Sequence, residues 1–155
     1  MNATSDQAFN ERSRRQSGLS LRKAKPDTDA ASSQGLFEGL GSMDKEKIAG
    51  LHSVFAQADF RGLIEMVHKC ISTELASVED ALSRQDVGTA MIAAHKITGS
   101  SGNYALNKVS KSAAKLTDAL SNGGTEEVAS ALAELRTHSY AAISDLEVLL
   151  SRLSE

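Results

Sequence analysis

Tryptophan is absent from the 155 residues, proline and cysteine occur once each, and four Phe and two Tyr supply all the aromatic bulk. A core without large rings has to be assembled from Ala, Leu, Ile and Val. The single proline, Pro26, leaves all the later backbone free to be helical. The single cysteine, Cys70, excludes an internal disulfide framework and fits a reducing compartment. No apolar run approaches the roughly 20 residues of a membrane span. The opening MNATSDQAFNERSRR lacks the apolar stretch of a secretory signal. A cytoplasmic protein that does not enter a membrane is expected. Runs of alternating β-branched residues are also missing, whereas Ala, Leu, Glu and Lys are abundant, so the fold class expected is all-α.

The net charge of −3 is mild and unevenly spread. Residues 1–43 carry six Arg/Lys against five Asp/Glu, and residues 44–155 carry eleven against fifteen. An acidic folded part argues against nucleic acid as a partner. Residues 1–43 are rich in Ser, Gly, Asn, Gln and charge, with few large apolar side chains to offset the entropy of ordering. They are expected to be a disordered tail or linker. The cluster Arg12-Ser13-Arg14-Arg15 within it suits an acidic partner, although a solvated tail explains it as well.

From Asp44 the pattern turns helical. A short leading helix is expected over residues 44–57, with Asp59 as N-cap of the next, over residues 60–84. There Ile64, Val67, Ile71, Leu75, Val78 and Leu82 step by three or four. Further helices are expected over 86–104 and 107–121, the latter striped by Val109, Ala113, Leu116 and Leu120. Asn122-Gly123-Gly124 then breaks the chain with a left-handed C-cap. Thr125, followed by Glu126 and Glu127, is expected to cap a last helix. Its seam Val128, Leu132, Leu135, Ser139, Ala142, Leu146, Leu149 and Leu153 is that of a bundle helix. Short connections between these helices predict an antiparallel up-down four-helix bundle over residues 44–155.

The helix over 86–104 carries the informative pattern. At about 100° per residue, Ala90, Ala93, Ile97, Ser100 and Tyr104 share one side and His95 falls nearly opposite. Around His95 lie Gly88, Met91, Ile92, Thr98, Gly99 and Gly102. Each glycine in a helix interior costs roughly 0.5–1 kcal/mol relative to alanine. Bare backbone beside an exposed imidazole makes sense where something bulky must approach the ring. Met91 and Ile92 add apolar surface suited to docking. A neutral imidazole, with an ordinary pKa of about 6.5, is nucleophilic at neutral pH and forms a transferable phosphoramidate. No His, Asp or Glu stands at i±4, so neither a local metal site nor a general base is expected. The phosphoryl donor and any Mg²⁺ must come from a partner.

Ala94-His95-Lys96-Ile97-Thr98-Gly99-Ser100-Ser101 resembles the Ala-His-x-Leu-Lys-Gly-Ser-[Ser/Ala] signature of histidine phosphotransfer domains. Ala81-Leu82 followed by Asp86 is similar to the family's helix boundary, and Gly102-Asn103-Tyr104-Ala105 stands where the family reads Ala-Asn-Leu-Gly. The resemblance covers about residues 60–150. It implies a phosphorelay intermediate with no independent catalytic machinery and no bound cofactor. His95 would accept a phosphoryl group from the aspartate of a response-regulator receiver domain and pass it to another. The implied partners are such receivers and a hybrid sensor histidine kinase, the implied state a monomer. Thr98 departs from the family's lysine three residues after the histidine. Lys96, about 100° round the helix, and the Thr98 hydroxyl are the candidates to support the phosphoryl group beside Gly99, with Met91, Ile92, Gly88 and Gly102 as docking positions.

Blander readings stand beside these. His52, His68 and His138 lack the glycine context and are expected to be structural or solvent-facing. Cys70, beside Val67 and Ile71, reads as a buried thiol, and Ser100 and Ser101 as small packing residues. The alternative function is a non-catalytic helical interaction module in which His95 is incidental, or a degenerate relay that binds receivers without transfer.

Overall fold

A computed structural model describes residues 35–154. The Arg12–Arg15 cluster and the expected tail as far as residue 34 lie outside the described residues. Every regular element among the described residues is a helix: α1 Lys45–Val54, α2 Gln57–Ser83, α3 Val87–Asn103, α4 Asn107–Asn122 and α5 Thr125–Leu153. The all-α expectation holds. Among the described residues no helix is long and apolar enough to cross a membrane.

Two of the five helix starts are capped by a side chain, and those of α2, α4 and α5 are not. Asp44 caps α1 by accepting the Lys47 N–H at 3.2 Å, and Asp86 caps α3 by accepting the Thr89 N–H at 3.1 Å. Asp59, expected as a cap, instead lies in the first turn of α2, whose N-cap is Ala56. There it offers its charge to the positive end of the helix dipole. Thr125 likewise falls inside α5, capped by the backbone of Gly124 with no side-chain bond. Gly123 is extended rather than left-handed, with φ −94° and ψ 167°. Its glycine serves space: a Cβ there would lie 2.9 Å from the Ala119 carbonyl oxygen and collide with Glu127. Apart from Gly39, the left-handed positions among the described residues are Gln85, φ 60°, and Ala105, φ 71°. Ala105 is where the resemblance places a glycine, the residue that adopts such φ without cost.

The long helices close a ring. α2 packs on α3, α3 on α4, α4 on α5 and α5 back on α2. The expected stripes face inward: Ile64, Val67, Ile71, Leu75 and Val78 of α2, Val109, Ala113 and Leu116 of α4, and Leu135, Leu146 and Leu149 of α5 are buried. Leu82, Leu120, Val128 and Leu132 lie at the margin, partly buried.

The packed region begins earlier than residue 44. Phe37, Leu40 and Met43 belong to the core. Arg152 donates to the carbonyls of Leu36 and Glu38, each at 2.8 Å, and the backbone N–H of Ser42 donates to Asp145 at 3.0 Å. Phe37, His52 and Phe60 meet edge to face, with centroids 4.9–6.2 Å apart. For residues 35–43 the expectation of a disordered tail is therefore corrected. Three large side chains and a distant arginine offset the ordering entropy.

Candidate functional site

α3 is held helical mostly by its neighbours, because its sequence is poor in strong helix formers. At its start the Asp86 carboxylate accepts the Thr89 hydroxyl at 2.7 Å as well as the Thr89 N–H. These bonds, with the nearby Arg84 charge, hold the carboxyl below its usual pKa. Ala90, Ala93, Ala94, Ile97 and Ser101 are buried. Ser100 and Tyr104, placed on the inner side by the wheel, are only half-buried, so the inward face is centred nearer Ala94 and Ser101. The rotation keeps His95 exposed but turns it from directly opposite the core toward the α4 flank.

Of the positions around His95, Gly88, Ile92 and Gly99 are exposed, while Met91, Thr98 and Gly102 are half-buried. Ile92 is 62% exposed, high for a large apolar side chain. The glycines differ in cause. A Cβ on Gly99 would meet nothing within 4 Å, and one on Gly88 only the Asp86 carboxylate at 3.8 Å. Folding does not require either. At Gly102 a Cβ would lie 3.1 Å from Ser110 Oγ, so close packing of α4 accounts for it.

Each flank is occupied. Toward α4, Ser110 Oγ donates to the Thr98 carbonyl at 2.9 Å, and Thr98 Oγ1 donates to the Ala94 carbonyl at 3.0 Å. The Thr98 hydroxyl proton is thus committed to backbone rather than aimed at the His95 surface. Toward α2, the Lys96 ammonium lies 3.5 Å from Glu74, and Cys70 Sγ lies 3.2 Å from Ser100 Oγ. Cys70 is half-buried, not a fully buried thiol, and Ser100 is its polar partner.

A residue that the wheel could not reveal completes the face. Lys47 of α1 donates its ammonium to the carbonyl of Gly102. α1 is fixed there because the Asp44 N–H donates to Ala105 at 2.8 Å and Asn107 Nδ2 donates to the Asp44 carboxylate at 3.3 Å. The signal is long-range, 55 residues in sequence, and no local pattern announces it.

The other histidines have structural surroundings. His52 sits in the aromatic cluster, His68 Nε2 lies 3.2 Å from Glu147, and His138 is half-buried. Among the described residues no group of three or more His, Cys, Asp or Glu could hold a metal ion. An open groove between α4 and α5 is lined by Asp118, Glu126, Glu127 and Glu134 with Lys115, and none of its lining belongs to α3. What the α3 face offers chemically is an exposed imidazole on bare backbone beside an apolar side chain. No hydrogen bond to that ring is present among the described residues.

Comparison with known families gives a match to the model of the Hpt domain over residues 62–154. Neither a curated protein nor a solved structure matches the chain.

Proposed function

The chain belongs to the Hpt domain family, whose members are phosphocarriers in histidine phosphotransfer, and we propose that His95 is its phosphoryl acceptor, loaded from one receiver-domain aspartate and discharged to another. The observation that carries this is the exposed His95 beside Gly99, where the fold leaves open space that it does not need. The unprotonated imidazole nitrogen attacks phosphorus of the aspartyl phosphate. The N–P bond forms as the P–O bond breaks, and the carboxylate leaves with the electron pair. The other ring nitrogen keeps its proton, so the adduct is a phosphoimidazolium that the reverse displacement discharges. Mg²⁺ and the acidic machinery belong to the receiver, which docks over Gly88, Met91, Ile92 and Gly102 on a monomeric carrier.

The four long helices are read as an antiparallel up-down bundle. Cys70 pairs with Ser100 while Glu74 pairs with Lys96, and His68 pairs with Glu147 while Glu79 pairs with Arg136. Residue numbers rise on one helix as they fall on the next.

The test is incubation with a ³²P-phosphorylated receiver domain. Wild type should acquire an acid-labile, base-stable label, and His95→Gln should acquire none while keeping its helical signal. Label retained in His95→Gln but lost in a His52, His68 or His138 variant would move the site elsewhere. A second reading, binding without transfer, is favoured by one observation: Thr98 brings no charge and its hydroxyl is turned to Ala94. It predicts a receiver complex with no label.

A further inference from the structure

We propose that Lys47, on the leading helix and upstream of the matched Hpt region, is a partner-facing cation of the His95 face that pairs with a carboxylate beside the receiver's phosphorylated aspartate. This rests on the phosphotransfer reading of His95. Gly102 follows His95 by seven residues, which is about two turns or 10.5 Å along the axis and within about 20° of the same azimuth. An ammonium bonded to the Gly102 carbonyl therefore stands on the same side of α3 as the imidazole. Lys47 is exposed and pairs with no carboxylate among the described residues. Of its three donors the Gly102 carbonyl takes one, leaving two for a partner.

α3 itself supplies no cation to that face. Lys96 is held toward Glu74, and Thr98 is neutral. The remaining surface, Gly88, Ile92 and Gly99, is uncharged. The partner's chemistry supplies the complement. A receiver presents an aspartate and the further oxygen ligands, carboxylates among them, that a Mg²⁺ site needs. Its docking face is anionic, so a fixed cation at the edge of the contact should steer approach and set register. The anchoring of α1 through Asp44, Ala105 and Asn107 keeps that cation in place before docking.

Binding of the full chain to receiver domains phosphorylated with acetyl phosphate and Mg²⁺ tests this, with Lys47→Gln, Lys47→Arg and Lys115→Gln compared to wild type. Gln keeps a donor for the Gly102 carbonyl and removes the charge. Lys115→Gln removes one equal charge from the α4–α5 side, where Lys115 pairs with Glu134. Lys47→Gln should weaken binding about three- to tenfold at low salt, mostly through association rate, with the difference fading at ~0.5 M salt. Lys47→Arg should restore it, Lys115→Gln should not reproduce the loss, and thermal melts should separate any loosening of α1. Equal affinity and salt dependence for Lys47→Gln and wild type overturns this inference alone. Wild type that neither binds nor is labelled by any receiver overturns the phosphotransfer reading and this inference with it.

Discussion

Lys96 and Glu74 meet at 3.5 Å across the α2–α3 seam, which turns the cation next in sequence to His95 away from the imidazole's flank. The Glu74 side chain is 17% exposed and the Lys96 side chain 59%. A pair this open contributes between zero and about 1 kcal/mol. Lys96→Gln should therefore lower stability by less than ~1 kcal/mol and alter the phosphotransfer rate less than about twofold. A tenfold slower transfer with an unchanged melt would place Lys96 in the chemistry instead.

Gly99 offers a sharper contrast. Since a Cβ there meets nothing within 4 Å, Gly99→Ala should raise stability by about 0.5–1 kcal/mol through helix propensity alone. The same methyl should slow transfer to a receiver if the bare backbone exists for close approach, and Gly99→Glu should block it. Melting temperature and transfer rate moving in opposite directions is the expected signature; a stabilised variant with full transfer would contradict it.

Ile92 and Met91 should separate according to burial. Ile92 is 62% exposed, so Ile92→Lys should leave the melt nearly unchanged and weaken receiver binding about tenfold, the equivalent of ~1.4 kcal/mol. Met91 is half-buried, and Met91→Lys should cost stability as well as binding. Titrations and melts on the same preparations check both.

Asp86 makes the start of α3 sensitive to acid. Its folded-state pKa is lowered, by the Thr89 hydroxyl first and the Thr89 N–H second, from an ordinary 3.8. A depressed carboxylate contributes stability that is present above the ordinary value and is lost as pH falls through the folded one. The melting difference between wild type and Asp86→Asn should be constant near neutrality and shrink below about pH 3.8. A difference that persists undiminished in strong acid would show that the charge is not what the cap uses.

Gln85 sits at φ 60° and is exposed, so its left-handed backbone carries strain with little side-chain packing to lose. Gln85→Gly should stabilise the protein by about 0.5–1 kcal/mol, a rise of roughly 1–4 °C in Tm for a chain of this size. Gln85→Val should lower it, because a β-branched residue tolerates that φ worst.

Much of the framework of α2, α4 and α5 was legible because their stripes carry Leu, Ile and Val at helical spacing, with a few small residues such as Ala113, Ser139 and Ala142 between them. α3 was harder. Apart from Ile97, its inner side is Ala90, Ala93, Ala94 and Ser101, too small and too alike to set the phase of a wheel to better than one residue. That explains both the rotation toward Ser101 and the half-burial of Met91. The caps expected at Asp59 and Thr125 fall inside their helices, because Ala56, Leu106 and Gly124 begin α2, α4 and α5 with no side-chain bond and so carry no mark in the sequence. Phe37, Leu40 and Met43 recur every three residues, a faint sign inside a Gly- and Ser-rich stretch. What fixes them, Arg152 and Asp145, lies more than a hundred residues away. Lys47 belongs to the same class: its position is a property of the assembled bundle.

The glycines of α3 have an effect on time scale as well as on shape. A helix with Gly88 and Gly99 on its outward side and Gly102 against α4 holds its backbone bonds by borrowed order, from Ile97 and the alanines of its inner side. Its amides should therefore exchange with solvent deuterium sooner than those of α2 or α5, chiefly through brief openings around Gly99 to Asn103 that leave the rest of the ring closed. On the proposed docking face, the surface left bare for a partner would, for that same reason, be the part of the molecule that breathes first.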